Sequence, residues 1–310
     1  MNERKKKVSV IGAGNVGATT AQLLAAGGFC DVVLFDIVDG MPQGKALDIA
    51  EACPLWNSSA AVTGTNDYAM IEGSDIVTVT AGMARKPGMS RDDLLKINAD
   101  IISGVAGEIL KHAPDSIVIV VTNPMDVMAH LVLKTTGFNS SRVMGMGGVL
   151  DAARFCSFVA AELKVSPEVI TSMLLGGHGD QMVPLPRFTT VRGIPVTELL
   201  PAEKIEAIVE RTRNGGAEIV ALLKTGSAYY APAASIYEMI KSIVLDEKKV
   251  LPVSCCLEGQ YAVDHVYAGV PAVLGKSGVE AIIELNLNDV EKSAFMKSVN
   301  AVRNLVNSLS

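Results

Sequence analysis

At 310 residues the chain is long enough for about two domains of roughly 150 residues each. Hydrophobic residues make up 49% and charged residues 19%, a composition that excludes a disordered chain and supplies a large core. A formal net charge of −6 and an isoelectric point near 5.3 argue against a nucleic-acid partner, so any cationic site must be local.

The chain opens with "MNERKKK" and then "VSVIGAGNVGATTAQLLAA", which imitates a secretory signal in its basic start and apolar run. Gly12, Gly14 and Gly17 interrupt that run, and Gln22 interrupts the remainder. No other stretch reaches the roughly eighteen uninterrupted apolar residues of a membrane span. A soluble, cytoplasmic protein with no membrane partner is expected. Its five cysteines, Cys30, Cys53, Cys156, Cys255 and Cys256, lack C-x-x-C spacing, so buried free thiols in a reducing compartment are expected and no metal is.

Val8–Ile11 predicts a first strand. Gly12-Ala13-Gly14-Asn15-Val16-Gly17 follows it and opens a helix, the G-x-G-x-x-G pattern in the context it needs. Gly12 permits the tight turn, Gly14 lets main chain approach a pyrophosphate, and Gly17 allows close helix–strand packing over the positive helix N-terminus. The second strand, Val32–Asp36, ends on an acid. A carboxylate there accepts from a ribose diol and repels a 2′-phosphate, which favours NAD over NADP.

Gly44–Cys53 and Asp92–His112 have helical spacing, and Ile76–Thr80 and Ile117–Thr122 predict strands buried on both faces. Between them "AGMARKPGMSR", Ala81 to Arg91, holds two arginines and no acid to pair with them. The βαβ rhythm runs to Arg142–Gly148, where "VMGMGG" reads as the last strand and exit of the sheet. The fold class expected is α/β: a Rossmann doubly wound parallel sheet over 1–147, followed by an α+β substrate domain over 148–310.

In that second half Leu150–Lys164 is expected to be helical, and "GVLDAARF" puts Asp151 and Arg154 on one helix face, which from spacing alone reads first as a local ion pair. Ile170–Leu175 and Val250–Val263 are strand-like. Pro201–Leu245 predicts helix broken near Gly215-Gly216 and again around Gly226. "LLGGHGDQMVP" sets His178, one of four histidines, between glycines in a sterically open turn suited to a proton donor. Phe295, Val299, Val302, Val306 and Leu309 recur at helical spacing near the end of the chain. No linker separates the halves, so they are expected to pack closely.

Five motifs in order, "GAGNVG", "AGMARKPGMSR", "VTNPMDV", "GVLDAARF" and "GGHGDQMVP", make nearly the whole chain resemble the 2-hydroxy-acid dehydrogenases, the family of lactate and malate dehydrogenases. With Arg85 in the third-to-fourth element connection and "AYYAPA" at 228–233, the chain is most similar to the lactate-dehydrogenase-like branch of malate dehydrogenases. The resemblance implies NAD as cofactor and reversible hydride transfer between (S)-malate and oxaloacetate, a reaction of the tricarboxylic acid cycle. It implies His178 as acid–base with Asp151 as its catalytic partner, and Arg154 as a two-pronged clamp on the substrate's C1 carboxylate. Asn123 would bond the substrate oxygen, with Asn123-Pro124 a candidate cis peptide. Asn98, Val121, Thr122 and Asn123 would line the cofactor. Gly82 and Gly88 would flank a lid in which Arg91 polarises the carbonyl and Arg85 meets a second, distal carboxylate, with small Ala228 leaving room for it.

Two other readings stay open on the sequence. A lactate or other 2-hydroxy-acid dehydrogenase would use the same machinery, and a catalytically inactive NAD-binding sensor would need a broken site. A mean hydropathy of +0.34 points to buried subunit interfaces, and the resemblance implies a homotetramer or homodimer.

Overall fold

The computed structural model describes residues 4–83 and 91–309, Arg91 in its main chain only. Arg85, the side chain of Arg91 and the expected lid lie outside the described residues.

The first half alternates strand and helix: β1 (Lys6–Ile11), α1 (Asn15–Gly27), β2 (Cys30–Phe35), α2 (Met41–Ala52), β3 (Val62–Thr65), β4 (Ile76–Val79), α3 (Arg91–His112), β5 (Ile117–Val120), α4 (Met125–Thr136) and β6 (Val143–Gly145). All four residues of β4 (IVTV) and of β5 (IVIV) are buried, because a parallel strand with helices on both faces has no wet side. The strands pair in parallel in the order β3-β2-β1-β4-β5-β6. Chain direction across the sheet reverses between β1 and β4, so a crevice opens past the C-terminal ends of those two strands. β3 escapes sequence reading: VTGT carries no apolar run, and its residues are mostly half-exposed at the sheet edge.

The second half follows with α5 (Gly148–Leu163), β7 (Ile170–Thr171), β8 (Leu174–Gly176), β9 (Met182–Pro184), β10 (Thr190–Val191), β11 (Ile194–Pro195) and α6 (Val196–Leu199). It continues with α7 (Ala202–Leu223), α8 (Tyr230–Val244), β12 (Lys249–Glu258), β13 (Asp264–Gly275), β14 (Gly278–Ile282) and α9 (Asp289–Asn307). β12 and β13 form a long antiparallel pair. They extend the parallel sheet sideways through Ser254 opposite Gly145, and reach β8 through Gly269 opposite Gly176. One continuous core runs from Val8 of β1 to Val302 of α9, so the halves share an interior. α9 starts with a capping box, Asn288 and Glu291 each bonding the other's main-chain N–H.

Three expectations of the sequence give way here. The strand-like 250–263 stretch is not one strand: it ends at Glu258, and a turn of 3-10 helix over Gln260–Ala262 leads into β13. Ile170–Leu175 splits into β7 and β8, which belong to different sheets. α7 does not break at Gly215-Gly216 but runs on to Leu223. Glycine in a helix interior costs roughly 1 kcal/mol, and tertiary fit overrides that propensity here. A Cβ on Gly215 would stand 3.2 Å from Arg154 Cδ, so the bare helix face is where that side chain lies.

All five cysteines are free thiols, four of them buried and Cys156 partly so. Burial pushes the Cys30 thiol up to about 12 and the Cys156 and Cys256 thiols up to about 11. None of these three is a reactive thiolate at neutral pH. No described helix is long and apolar enough to cross a membrane, and the described residues contain no cluster fit to hold a metal ion.

Candidate active site

The glycine loop sits at the mouth of the crevice. Gly12 has φ +105°, and a Cβ on Gly17 would stand 1.8 Å from Gly12 O, so the turn closes only with glycine at both places. Thr80 at the end of β4 ties the loop down, its hydroxyl donating at 3.1 Å to the carbonyls of Ile11 and Gly12. Gly14 and Asn15 are exposed, Ala13 is buried and Val16 packs against the core. α1 begins here with no side-chain cap and no acid in its first turn, so its N–H groups and positive dipole end face open space. No described residue lies within 4 Å of the position a Cβ on Gly14 would take.

Asp36 stands just past β2. Its carboxylate accepts from Ala13 N at 2.6 Å and from Val38 N at 3.0 Å, which fixes it beside the glycine loop with lone pairs to spare. Ile37 next to it is 84% exposed, an apolar lip without a cover. Open space over a glycine turn, an uncapped helix N-terminus, an anchored acid and an exposed apolar edge together fit an adenosine pyrophosphate. Lys45 of α2, which sequence reading passed over, donates to Ala13 O at 2.6 Å and braces the loop from the other side.

Past β5 the chain turns toward the second half through Val121, Thr122 and Asn123, and the Asn123-Pro124 peptide is cis. Val121 N continues the sheet by donating to Val79 O at 2.9 Å, and the Thr122 hydroxyl donates to Ala81 O at 2.5 Å. Asn98 of α3 is buried and bonds main chain on both sides: it accepts from Met83 N at 2.7 Å and donates to Met83 O and to Asn123 O at 3.2 and 2.7 Å. Its side chain acts on the crevice through the two segments it joins. The Asn123 side chain is exposed at the rim.

His178, Asp151 and Arg154 come together across the crevice from these groups. β8 delivers His178 and the first turn of α5 delivers Asp151, whose Oδ2 lies 2.9 Å from His178 Nδ1. Asp151 is 2% exposed. Burial pulls the His178 pKa down, but the Asp151 charge and hydrogen bond, with Asp126 adding to them, outweigh it and set the group above the ordinary histidine value. With Nδ1 engaged by Asp151, Nε2 is the nitrogen left to meet a substrate.

Arg154, 12% exposed, makes the local ion pair with Asp151 that its spacing suggested, but a loose one. Its Nη1 is 3.6 Å from Asp151 Oδ1, too far for a hydrogen bond, and neither Arg154 Nε nor Asp151 Oδ1 finds a partner among the described residues. Burial lowers the Arg154 pKa, with Asp151 opposing, though a guanidinium stays charged. A buried guanidinium, under-bonded among the described residues, beside a histidine–aspartate pair is suited to a carboxylate.

Residues 6–145 match the family model described as lactate/malate dehydrogenase, NAD binding domain, and residues 148–309 match its alpha/beta C-terminal domain. This chain belongs to the lactate/malate dehydrogenase family. Over 305 residues it is 55% identical to a malate dehydrogenase of Thermomicrobium roseum, covering 98% of each chain. A malate dehydrogenase structure from Picrophilus torridus superposes with a TM-score of 0.96 at 48% identity, over 98% of this chain and 97% of that one. A lactate dehydrogenase of Cryptosporidium parvum, complexed with lactic acid and nicotinamide adenine dinucleotide, superposes at 0.95 with 40% identity over 99% and 98%. Fold likeness therefore does not separate the two substrates.

Two carriers of the site were invisible in sequence. Asp126 in the first turn of α4 accepts from His178 N at 3.1 Å, and Ser254 of β12 donates to Asp126 at 2.6 Å. The one available signal was an acid within the apolar run "MDVMAHLVL"; Ser254, more than a hundred positions on, had none.

Proposed function

We propose that this protein is an NAD-dependent malate dehydrogenase, moving hydride reversibly between (S)-malate and oxaloacetate. The observation that carries it is the His178–Asp151 pair beside the under-bonded guanidinium of Arg154. Bound NAD would accept or supply the hydride. His178 Nε2 gives a proton to the carbonyl oxygen as oxaloacetate is reduced and takes it back as malate is oxidised. Asp151 holds the imidazole by Nδ1 and stabilises the imidazolium. Arg154 takes the C1 carboxylate in two charge-assisted hydrogen bonds, filling the Nε that has no partner among the described residues. Asn123 steadies the reacting oxygen from the rim.

The choice of a dicarboxylate rests on Arg85 in the sequence and on the malate dehydrogenases of 51–55% identity over nearly the whole chain. A buried arginine without its carboxylate costs on the order of 3–5 kcal/mol, so pyruvate should be rejected by hundreds- to thousands-fold. NADH consumption with oxaloacetate against pyruvate tests this. Oxaloacetate is expected to win by at least a hundredfold, and Arg85→Gln should narrow the gap. Equal or faster turnover of pyruvate would make the protein a lactate dehydrogenase instead. Leu47, Leu55 and Leu222 are 62%, 83% and 75% exposed, which supports a homo-oligomer, dimer or tetramer. Its working place is proposed from the similarity to malate dehydrogenases alone, as the cytoplasm and the tricarboxylic acid cycle.

A further inference from the structure

Behind the imidazole lies a second carboxylate that the mechanism above does not use. Asp126 is 6% exposed, and both of its oxygens are engaged. Oδ2 accepts the His178 main-chain N–H at 3.1 Å, and Oδ1 accepts the Ser254 hydroxyl at 2.6 Å. The fit against the His178 turn is close: a Cβ on Gly177 would stand 3.1 Å from Oδ2. Three elements meet at this one group. α4 carries it, the turn after β8 is held by it, and β12 holds it at the residue, Ser254, that joins the antiparallel strands to β6.

We propose that Asp126 is a positioning residue for the acid–base: an ionised carboxylate that fixes the His178 main chain and, with Asp151, supplies the negative field that holds the imidazolium. The inference rests on His178 being the acid–base of the proposed reaction. An ionised carboxylate is expensive to bury unless donors and a counter-charge surround it. Here two hydrogen bonds, the N-terminal turn of α4 and the imidazolium do so. Burial above all, with the Asp151 charge, sets the Asp126 carboxyl above the ordinary carboxylate range, and the Ser254 and His178 N–H bonds and the imidazolium oppose that rise and favour the ionised form.

Among the described residues, the charged groups around the imidazole are Asp151 and Arg154 from α5 and Asp126 from α4. β12 contributes neutral Ser254, and α9 contributes neutral Ser298, which accepts from Gly177 N at 2.8 Å. With His178 protonated, two carboxylates face two cations and the cluster balances. Removal of the His178 proton leaves it one negative charge in excess. Asp126 thus contributes to keeping a proton on His178 from behind, without touching the substrate.

The test is a titration of the four histidines by nuclear magnetic resonance in the NADH-free protein, with His178 assigned by its loss in His178→Asn. Asp126→Asn removes the charge yet keeps an oxygen for the His178 N–H, and Ser254 can turn its hydroxyl to accept from the new amide. The His178 midpoint should fall, by less than in Asp151→Asn, while His112, His130 and His265 do not move. Ser254→Ala strips one of the donors that keep the buried acid ionised, so Asp126 takes up a proton over part of the range, its charge is partly lost, and the His178 midpoint should fall in the same direction by less again. An unmoved midpoint in a folded Asp126→Asn protein would overturn the proposal. If that variant does not fold, Ser254→Ala decides alone, and an unmoved midpoint there overturns it equally. Since the imidazole itself is read, failure to reduce oxaloacetate would count against the functional reading and leave this result intact.

Discussion

The two sides of the crevice are built from different material. The cofactor side is main chain: the turn at Gly12, the bare N-terminus of α1 and the carbonyls held by Thr80 and Lys45. The proposed substrate side is side chain: His178, Asp151 and Arg154, set by two elements and backed by Asp126 and Ser254 from two more. A site made of main chain needs absent side chains, so glycines announce it. A site made of side chains needs partners remote in sequence, so little announces it. Mutations should separate the two sides cleanly, one losing cofactor and the other losing turnover.

The largest effect is expected on the substrate side. His178→Asn removes the proton donor and should cut kcat by about 10³-fold or more, within the range general acid–base groups supply. NADH affinity, measured by fluorescence titration, should stay within a few-fold. A matching loss of NADH binding would show that the two sides are not separate.

Arg154→Gln comes next. The variant cannot make the paired contact to a carboxylate, and kcat/KM for oxaloacetate should fall by about a hundredfold or more, with KM rising strongly. Folding should not suffer in proportion, because Arg154 Nε has no partner among the described residues to lose. A drop in thermal midpoint with unchanged KM would assign Arg154 to structure instead.

Smaller effects sharpen the cofactor side. Gly17→Ala forces a Cβ against Gly12 O, which cannot retreat from the turn, and should cost about 1–3 kcal/mol of stability. Gly14→Ala meets no described residue within 4 Å and should leave the thermal midpoint of the cofactor-free protein unchanged. Its NADH affinity should still weaken by roughly tenfold, since the added methyl stands where main chain must approach the pyrophosphate. Equal NADH binding in wild type and Gly14→Ala would place the pyrophosphate elsewhere.

The same contrast explains what was legible in the sequence. β1, β2, β4 and β5 could be read because strands buried on both faces leave continuous Val and Ile runs, and the glycine turn because nothing but glycine closes it. Asp36 could be read from its place at a strand end. The antiparallel β12–β13 pair was read only in its first strand, which was carried past the exposed Glu258-Gly259 turn signal to Val263 on the strength of the apolar residues either side of it. α7 passed through Gly215-Gly216 because Arg154, from another helix, fills the space those residues leave. His178 stood out through its glycines, but its partnership with Asp151 rested on resemblance. Asp126 and Ser254 had no local signature, being defined by a meeting of α4 with β12 that no spacing encodes.

The acid–base role of His178 is tested most directly by two pH profiles on one enzyme. Asp151 and Asp126 set the His178 pKa above the ordinary histidine value against the pull of burial, so the imidazolium persists to higher pH than in a free histidine. The NADH complex must carry that proton to reduce oxaloacetate, and the NAD complex must lack it to oxidise malate. We expect kcat/KM for oxaloacetate to fall, and kcat/KM for malate to rise, as pH increases through the His178 pKa, and both midpoints to drop in Asp151→Asn. Profiles that rise or fall together, or midpoints indifferent to Asp151→Asn, would contradict His178 as the acid–base.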